Sequence, residues 1–314
     1  MIKNDSELQN PNISILEPGT LWHKVVERSD RAIACGALQS IPTEFEFVEQ
    51  NGIRFLVRIL ANIDRKQKAK QQQKKEKETS GKDFNPFLPY EEDLFVANIS
   101  PTHLFVLNKF NVVDHHLLMI TRAFEEQETW LTQQDFEAMW VGLAEFEALA
   151  FYNGGAAAGA SQRHKHLQLV PLPMIPDGLD LPIAPAISDA RFCGTVGTVP
   201  DFPFVHAIAK LDPAWMRSPS EAARETLAVY RALLDVVGLP DDKNNSNRQT
   251  GAYNLLATRQ WMLIVPRSQE SFQSISINSL GFAGALLVRN AEEMERLKAI
   301  TPLTMLQSVA LGNR

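Results

Sequence analysis

Apolar positions recur at helical spacing through residues 14–34, at Leu21, Val25, Val26, Ala32 and Ile33, and predict a first helix opened by Pro18 and Gly19. The period then changes to two. Phe45, Phe47 and Val48 lead into Asn51-Gly52, and Ile53, Phe55, Val57 and Ile59 follow, which predicts a β-hairpin around a tight turn with positive φ. Short strands are expected over Asp93–Ile99, His103–Asn108 and His116–Thr121, and an amphipathic helix over Thr132–Ala150 with Asp135 near its start. His164–Pro171 is strand-like. Residues 172–200, rich in Pro, Ala and Gly, suggest a linker or a wrapped loop. Beyond them come a strand over Phe202–Lys210 and a helix over Ser218–Val237, capped by Ser218 or Ser220. Strands over Tyr253–Ala257 and Trp261–Pro266, the run Leu280–Val288 and two short helices end the chain. Strands and helices do not alternate strictly, so the fold class is α+β rather than a doubly wound parallel sheet.

The polar stretches qualify this picture. Residues 65–77, RKQKAKQQQKKEK, have no apolar face to bury and predict a solvated loop; the functional alternative is that its lysines fold over an anionic substrate. Asp241–Thr250 is a second polar loop. A length of 314 residues suits two domains, or one with an insertion. The hydrophobic fraction of 45% and charged fraction of 22% belong to a globular chain. With 31 Lys plus Arg against 37 Asp plus Glu, the net charge of −6 excludes a global positive field for nucleic acid. No apolar run reaches a membrane-spanning length, and the polar N-terminus has no signal-like core, so a cytoplasmic protein is expected. Cys35 and Cys193 form no CxxC pair and are expected as buried thiols.

Chemistry concentrates in NGGAAAGASQRHKHLQLVPLP, Asn153 to Pro173. Residues 154–160 are all Gly or Ala, so backbone N–H groups there can approach a phosphate closely. On a strand, His164, His166 and Gln168 share one face and Lys165, Leu167 and Leu169 the other. Two readings compete. The histidines could ligate a metal, but a third ligand is missing and glutamine is a poor one. Alternatively, one imidazole is a nucleophile on phosphorus, neutral near pH 7 and oriented through its other nitrogen by an acceptor such as a backbone carbonyl.

HKHLQ resembles the histidine-triad motif in its transferase form, with glutamine in place of the third histidine. The segments NPFLPYEEDLFV (85–96), HLFVLNKFNVVDHHLLMIT (103–121), GASQRHKHLQLVPLP (159–173), YNLLATRQWMLIVPRS (253–268) and NSLGFAGALLV (278–288) together resemble the diadenosine tetraphosphate (Ap4A) phosphorylases, or ATP adenylyltransferases. HKHLQ alone also fits a galactose-1-phosphate uridylyltransferase; the flanking segments favour the phosphorylase. The resemblance implies a HIT-like fold, an antiparallel sheet with flanking helices. Residues 1–180 would carry the nucleophile and residues 181–314 complete the nucleotide site. It implies reversible phosphorolysis of Ap4A to ATP and ADP through an adenylyl group on His166, with His164 orienting the strand and Gln168 donating its amide N–H to a phosphoryl oxygen. Ser161, Gln162 and the backbone around Asn153, Gly154 and Gly155 would hold phosphates, Asn108 the ribose, and Lys109 a phosphate.

The resemblance also leaves several residues with open roles. Arg267 and Asn278 could reach the substrate, Met262 packs in the core or against a base, and His116 is structural or a substrate contact. His103, His115 and His206 are expected to be structural. Arg163 departs from the proline that precedes HKH in many relatives and would put a charge near the phosphates. The implied partners are small nucleotides, without nucleic acid or membrane, with Mg²⁺ travelling with the polyphosphate and no protein-held metal; a monomer is expected. The rivals are a nucleotidyltransferase with a sugar-phosphate or sulfate partner and a non-catalytic dinucleotide sensor. A hydrolase is disfavoured, because glutamine cannot shuttle a proton.

Overall fold

The structure, a computed structural model, describes residues 14–60, 85–175, 181–240 and 247–312. The Arg65–Lys77 stretch and residues 241–246 of the second polar loop lie outside them.

Helix α1 spans Leu21–Cys35. It starts later than the apolar spacing suggests, because Gly19 takes φ +80° and the Glu145 carboxylate accepts the N–H groups of Gly19 and Leu21. The predicted hairpin forms as β1 (Thr43–Gln50) and β2 (Ile53–Leu60), with Asn51 at φ 50° and Gly52 at φ 74° as the twist of a two-residue turn demands. Next come β3 (Phe95–Asn98), β4 (His103–Leu107) and β5 (Leu117–Thr121), close to the expected strands.

Helix α2 runs over Gln133–Glu145, closed at its start by a reciprocal cap between Thr132 and Asp135. It ends five residues before the expected boundary, and β6 (Ala148–Gly154) follows, buried throughout. The run ALAF has no polar alternation because both faces of this strand are covered, so its pattern does not distinguish it from the end of a helix. Then follow β7 (His166–Pro171), α3 (Ala184–Ser188), β8 (Arg191–Cys193), β9 (Val196–Thr198) and β10 (Ala207–Lys210). The supposed linker at 172–200 thus contains a helix and an edge hairpin. Helix α4 (Pro219–Val236), β11 (Tyr253–Ala257) and β12 (Trp261–Pro266) match their predicted positions closely. The chain continues through β13 (Ser271–Phe272), β14 (Ile275–Ser276), α5 (Ser279–Phe282), β15 (Ala285–Val288), α6 (Ala291–Ile300) and α7 (Pro302–Val309).

Ten strands form one antiparallel sheet in the order β3-β4-β5-β7-β6-β11-β12-β10-β9-β8, which bears out the α+β expectation. The N- and C-terminal parts meet inside it, where Asn153 of β6 pairs with Asn254 of β11. Tyr152, Leu167, Leu169 and Leu255 pack on one side with α2 and α4. Phe151, Val170, Leu256 and Leu263 pack on the other, with β2, β15 and the C-terminal helices. A smaller sheet, β1-β2-β15, covers that second side. Met262 is wholly buried in the core. Both cysteines are exposed, against expectation: Cys35 ends α1, and Cys193 lies on the edge strand β8. No helix among the described residues is long and apolar enough to cross a membrane.

Candidate active site

The alternation of β7 brings His164, just before the strand, together with His166 and Gln168. All three are buried, on the face that carries Phe151 and Val170. His166 Nδ1 lies 2.8 Å from the His164 carbonyl oxygen. A carbonyl only accepts, so Nδ1 carries the proton and donates, and Nε2 is left with its lone pair. Burial pushes the His166 imidazole down to about 4, against the pull of that carbonyl and with the His164 ring adding to the drop. The group is therefore a neutral imidazole with a determined tautomer.

His164 is held at both nitrogens. Its Nε2–H donates to the Thr121 carbonyl at 2.8 Å, and Nδ1 accepts from the Asn85 amide at 3.0 Å. Burial lowers its pKa too, opposed by the Thr121 carbonyl and the charge of Glu125. The Phe87 ring sits 5.5 Å from the His164 ring and 5.4 Å from that of His166, screening both from water. Just beyond the last β6–β7 pair, Phe151 with Gln168, the side chain of Gln127 stands in for the ladder. Its Oε1 accepts from the His166 N–H at 2.9 Å, and its Nε2 donates to the Asn153 carbonyl at 3.0 Å.

Lys165 points the opposite way, as alternation requires, and is completely buried. Its ammonium lies 2.8 Å from Asp135, whose other oxygen is 3.1 Å from His103 Nε2. Burial alone would raise the Asp135 carboxyl. The hydrogen bond from His103 and the positive charge of Lys165 outweigh it and hold the group well below the usual carboxylate range. This ionic cluster ties the start of the histidine strand to the first turn of α2.

A third network lies beneath the Gly/Ala loop. Asn153 Oδ1 accepts from Asn254 Nδ2 (3.0 Å), the Ser279 N–H (2.9 Å) and the Ser279 hydroxyl (2.7 Å). Buried Arg267 donates to Asn254 Oδ1 and to the carbonyls of Gln269, Ile277 and Val309. Burial lowers its pKa to about 10, with Glu270 opposing, so it stays charged.

The family model of the Ap4A phosphorylase N-terminal domain matches residues 11–189, more than half of the chain, and that of the ATP adenylyltransferase C-terminal domain matches residues 200–312. The chain belongs to the Ap4A phosphorylase family. A similar relative is diadenosine 5',5'''-P1,P4-tetraphosphate phosphorylase 2 of Saccharomyces cerevisiae, 29% identical over 247 residues, which cover 70% of this chain and 74% of the relative. Crystal structures of a yeast Ap4A phosphorylase share the fold. The complex with Ap4A superposes with a TM-score of 0.74 at 22% identity over 96% of this chain and 99% of that one. The complex with AMP gives 0.73 at 23%, with the same coverage of each chain.

Within this Ap4A phosphorylase fold the expected site residues separate. His164, His166 and Gln168 converge. Ser161 is exposed and Gln162 half-buried at the end of the loop that leads to them. Asn153 turns into the network below, its Oδ1 fully used, so only its amide N–H groups remain to meet a ligand. Gly154 leaves room for Gln249 and Tyr253, and Gly155 takes φ +98°, so both glycines answer to packing and backbone shape before any ligand.

Four further residues have protein partners. The Lys109 ammonium pairs with Glu91 at 2.6 Å on the surface. Arg163 is forked onto Glu126, so its charge is already neutralised. Arg267 is buried among the carbonyls to which it donates. Asn278 accepts from the Leu280 N–H as the cap of α5. Asn108 bonds His116 through its amide at 3.1 Å. His103 sits in the ion cluster, His115 bonds Ser29 at 3.1 Å, and His206 accepts from the Val199 N–H at 2.8 Å. Sequence reasoning missed Gln127, Thr121, Asn254 and Ser279, which reach the site from separate segments. Asn85 and Phe87 carried a signal in NPFLPY but were given no role.

Proposed function

We propose that this protein catalyses the reversible phosphorolysis of Ap4A to ATP and ADP through a covalent adenylyl group on His166 Nε2. The observation that carries the reading is the His166 tautomer: Nδ1 donates to the His164 carbonyl, and Nε2 is unprotonated on the site side of the sheet. In the first displacement the Nε2 lone pair forms a bond to the α-phosphorus of one adenylyl unit as the P–O bond to the leaving ATP breaks. As positive charge develops on the ring, the His164 carbonyl stabilises it through Nδ1–H. In the second, an oxygen of inorganic phosphate bonds to phosphorus, the P–Nε2 bond breaks, and its electron pair returns to His166, giving ADP.

In this reading Gln168 donates an amide N–H to a phosphoryl oxygen, and Ser161, Gln162 and the N–H groups around Asn153, Gly154 and Gly155 hold phosphates. Residues 1–180 supply the nucleophile, and residues 181–314 complete the nucleotide site. Mg²⁺ arrives with the polyphosphate as its counterion. The enzyme acts as a cytoplasmic monomer on small nucleotides.

The test is turnover of Ap4A with and without inorganic phosphate, in wild type and His166→Ala. ATP plus ADP is expected only with phosphate and only in wild type. ATP plus AMP formed without phosphate would mean hydrolysis and overturn the reading. Tight binding without turnover would identify a sensor instead.

A further inference from the structure

The acceptor end of the Gln168 side chain is already engaged. Oε1 lies 3.0 Å from His116 Nε2. His116 must donate there, because its Nδ1, 3.1 Å from the Asn108 amide nitrogen, has to accept from that NH₂ group. Asn108 cannot turn its amide over at no cost either, since its Oδ1 accepts from the Phe110 N–H at 3.3 Å. The donors therefore run one way, from the Phe110 backbone through Asn108 and His116 to Gln168. His116 is buried against the Phe151 ring, 5.7 Å between centroids, and burial holds it neutral, with a pKa of about 4. That bond fixes which way round the Gln168 amide lies, with Oε1 held by His116 and the NH₂ turned away from it.

The two possible acceptors for the adenylyl group ask different things of a glutamine. Phosphate brings an oxygen that is already anionic, so the P–O bond forms as the P–Nε2 bond breaks with no proton to remove. Water must lose a proton as it attacks, and it is oriented by hydrogen-bond acceptors; a glutamine with a free carbonyl oxygen orients attacking water in small GTPases. Resting on the phosphorolytic reading above, we propose that His116 is a positioning residue that makes this site selective for phosphate over water, by occupying the carbonyl oxygen of Gln168 and presenting its amide as a pure donor. Asn108 acts with it, by setting the His116 tautomer.

The experiment follows ADP and AMP formed from Ap4A at a fixed phosphate concentration in wild type, His116→Phe, His116→Gln and Asn108→Leu. His116→Phe removes the donor and frees Gln168 Oε1 while keeping an aromatic ring at the position. It is expected to lower kcat/KM about ten- to a hundredfold, the scale of a misaligned group, and to raise the AMP share. His116→Gln, whose amide nitrogen reaches about as far as imidazole Nε2, is expected to return the AMP share toward wild type. Asn108→Leu releases the His116 tautomer and should shift the product ratio in the same direction as His116→Phe; it carries the test alone if that variant does not fold. A lowered rate with an unchanged AMP:ADP ratio would reduce His116 to a structural residue and overturn the inference. A wild type that makes no ADP overturns the phosphorolytic reading, and this inference falls with it.

Discussion

At the scale of the residue, His166 is unlike an imidazole in water in two ways that have one origin. Enclosure by Phe87 and the strand faces removes the solvent that would stabilise a cation, so its pKa falls from the ordinary 6.5 to about 4. The same enclosure makes the Nδ1–H bond to the His164 carbonyl the main determinant of its tautomer. The sign follows directly: a lowered histidine pKa keeps the nucleophile neutral through the whole range above it, and protonation removes the lone pair only below. The pH profile of kcat/KM for Ap4A, which reports the first displacement by the free enzyme, should therefore show its acidic limb near pH 4 and no inflection at 6.5. A limb at 6.5 would mean that the ring is solvated in the working enzyme. Much of this centre was legible in HKHLQ. Period-two alternation places His164, His166 and Gln168 on one face and Lys165 on the other, as found. The partners that set protonation and orientation were not legible, because Asn85, Thr121 and Gln127 lie 79, 43 and 39 positions from the histidines they bond. Nothing local in their sequence marks that convergence.

At the scale of the element, strands set off by turn residues were easy to place, and the strand that follows a helix with no breaker between them was not. The hairpin of β1 and β2 declares itself through Asn51-Gly52, and β11 and β12 are bounded as the apolar runs suggest. Strand β6 was absorbed into the preceding helix because only Phe146 and Glu147 separate the two and no polar residue interrupts ALAF. That strand matters for the site, since it delivers the loop that begins at Gly155. There the glycine was read as room for a ligand, whereas its conformation, φ +98° with ψ 167°, is one that essentially only glycine adopts. A Cβ on it would also stand 3.0 Å from the Gln249 amide nitrogen and 3.4 Å from Glu128 Cγ. Gly155→Ala is thus expected to destabilise the protein by about 1–3 kcal/mol, the strain of such a backbone position, read as a lower midpoint in denaturant unfolding. An unchanged midpoint would mean that the loop relaxes to a conformation open to any residue.

At the scale of the whole molecule, two family segments are joined by a single sheet. The β6–β11 pairing runs from Ala150 with Ala257 to Gly154 with Tyr253, and the polar network under the loop crosses the same boundary. Asn254 reaches Asn153 and the Ala158 carbonyl, and Ser279 reaches Asn153 and the Tyr152 carbonyl. Cutting the chain at residue 180 would bare the edge of β6 from Ala150 to Gly154 and remove the strand beside Tyr152 and Phe151, which are wholly buried. An exposed, flat, apolar strand edge of that kind templates pairing with other chains. Asn153 would also lose every partner of its Oδ1, and the loop that leads to His166 would lose its floor. Expressed alone, residues 1–180 should aggregate and form no adenylyl-histidine when given labelled Ap4A, although they contain the whole HKHLQ motif. Co-expression with residues 181–314 should restore both solubility and labelling, because the missing strand and the Asn254, Ser279 and Arg267 side chains are then supplied in trans. A soluble 1–180 fragment that labels His166 on its own would show that the nucleophile works without the C-terminal segment. The sheet would then be continuous in geometry but separable in function.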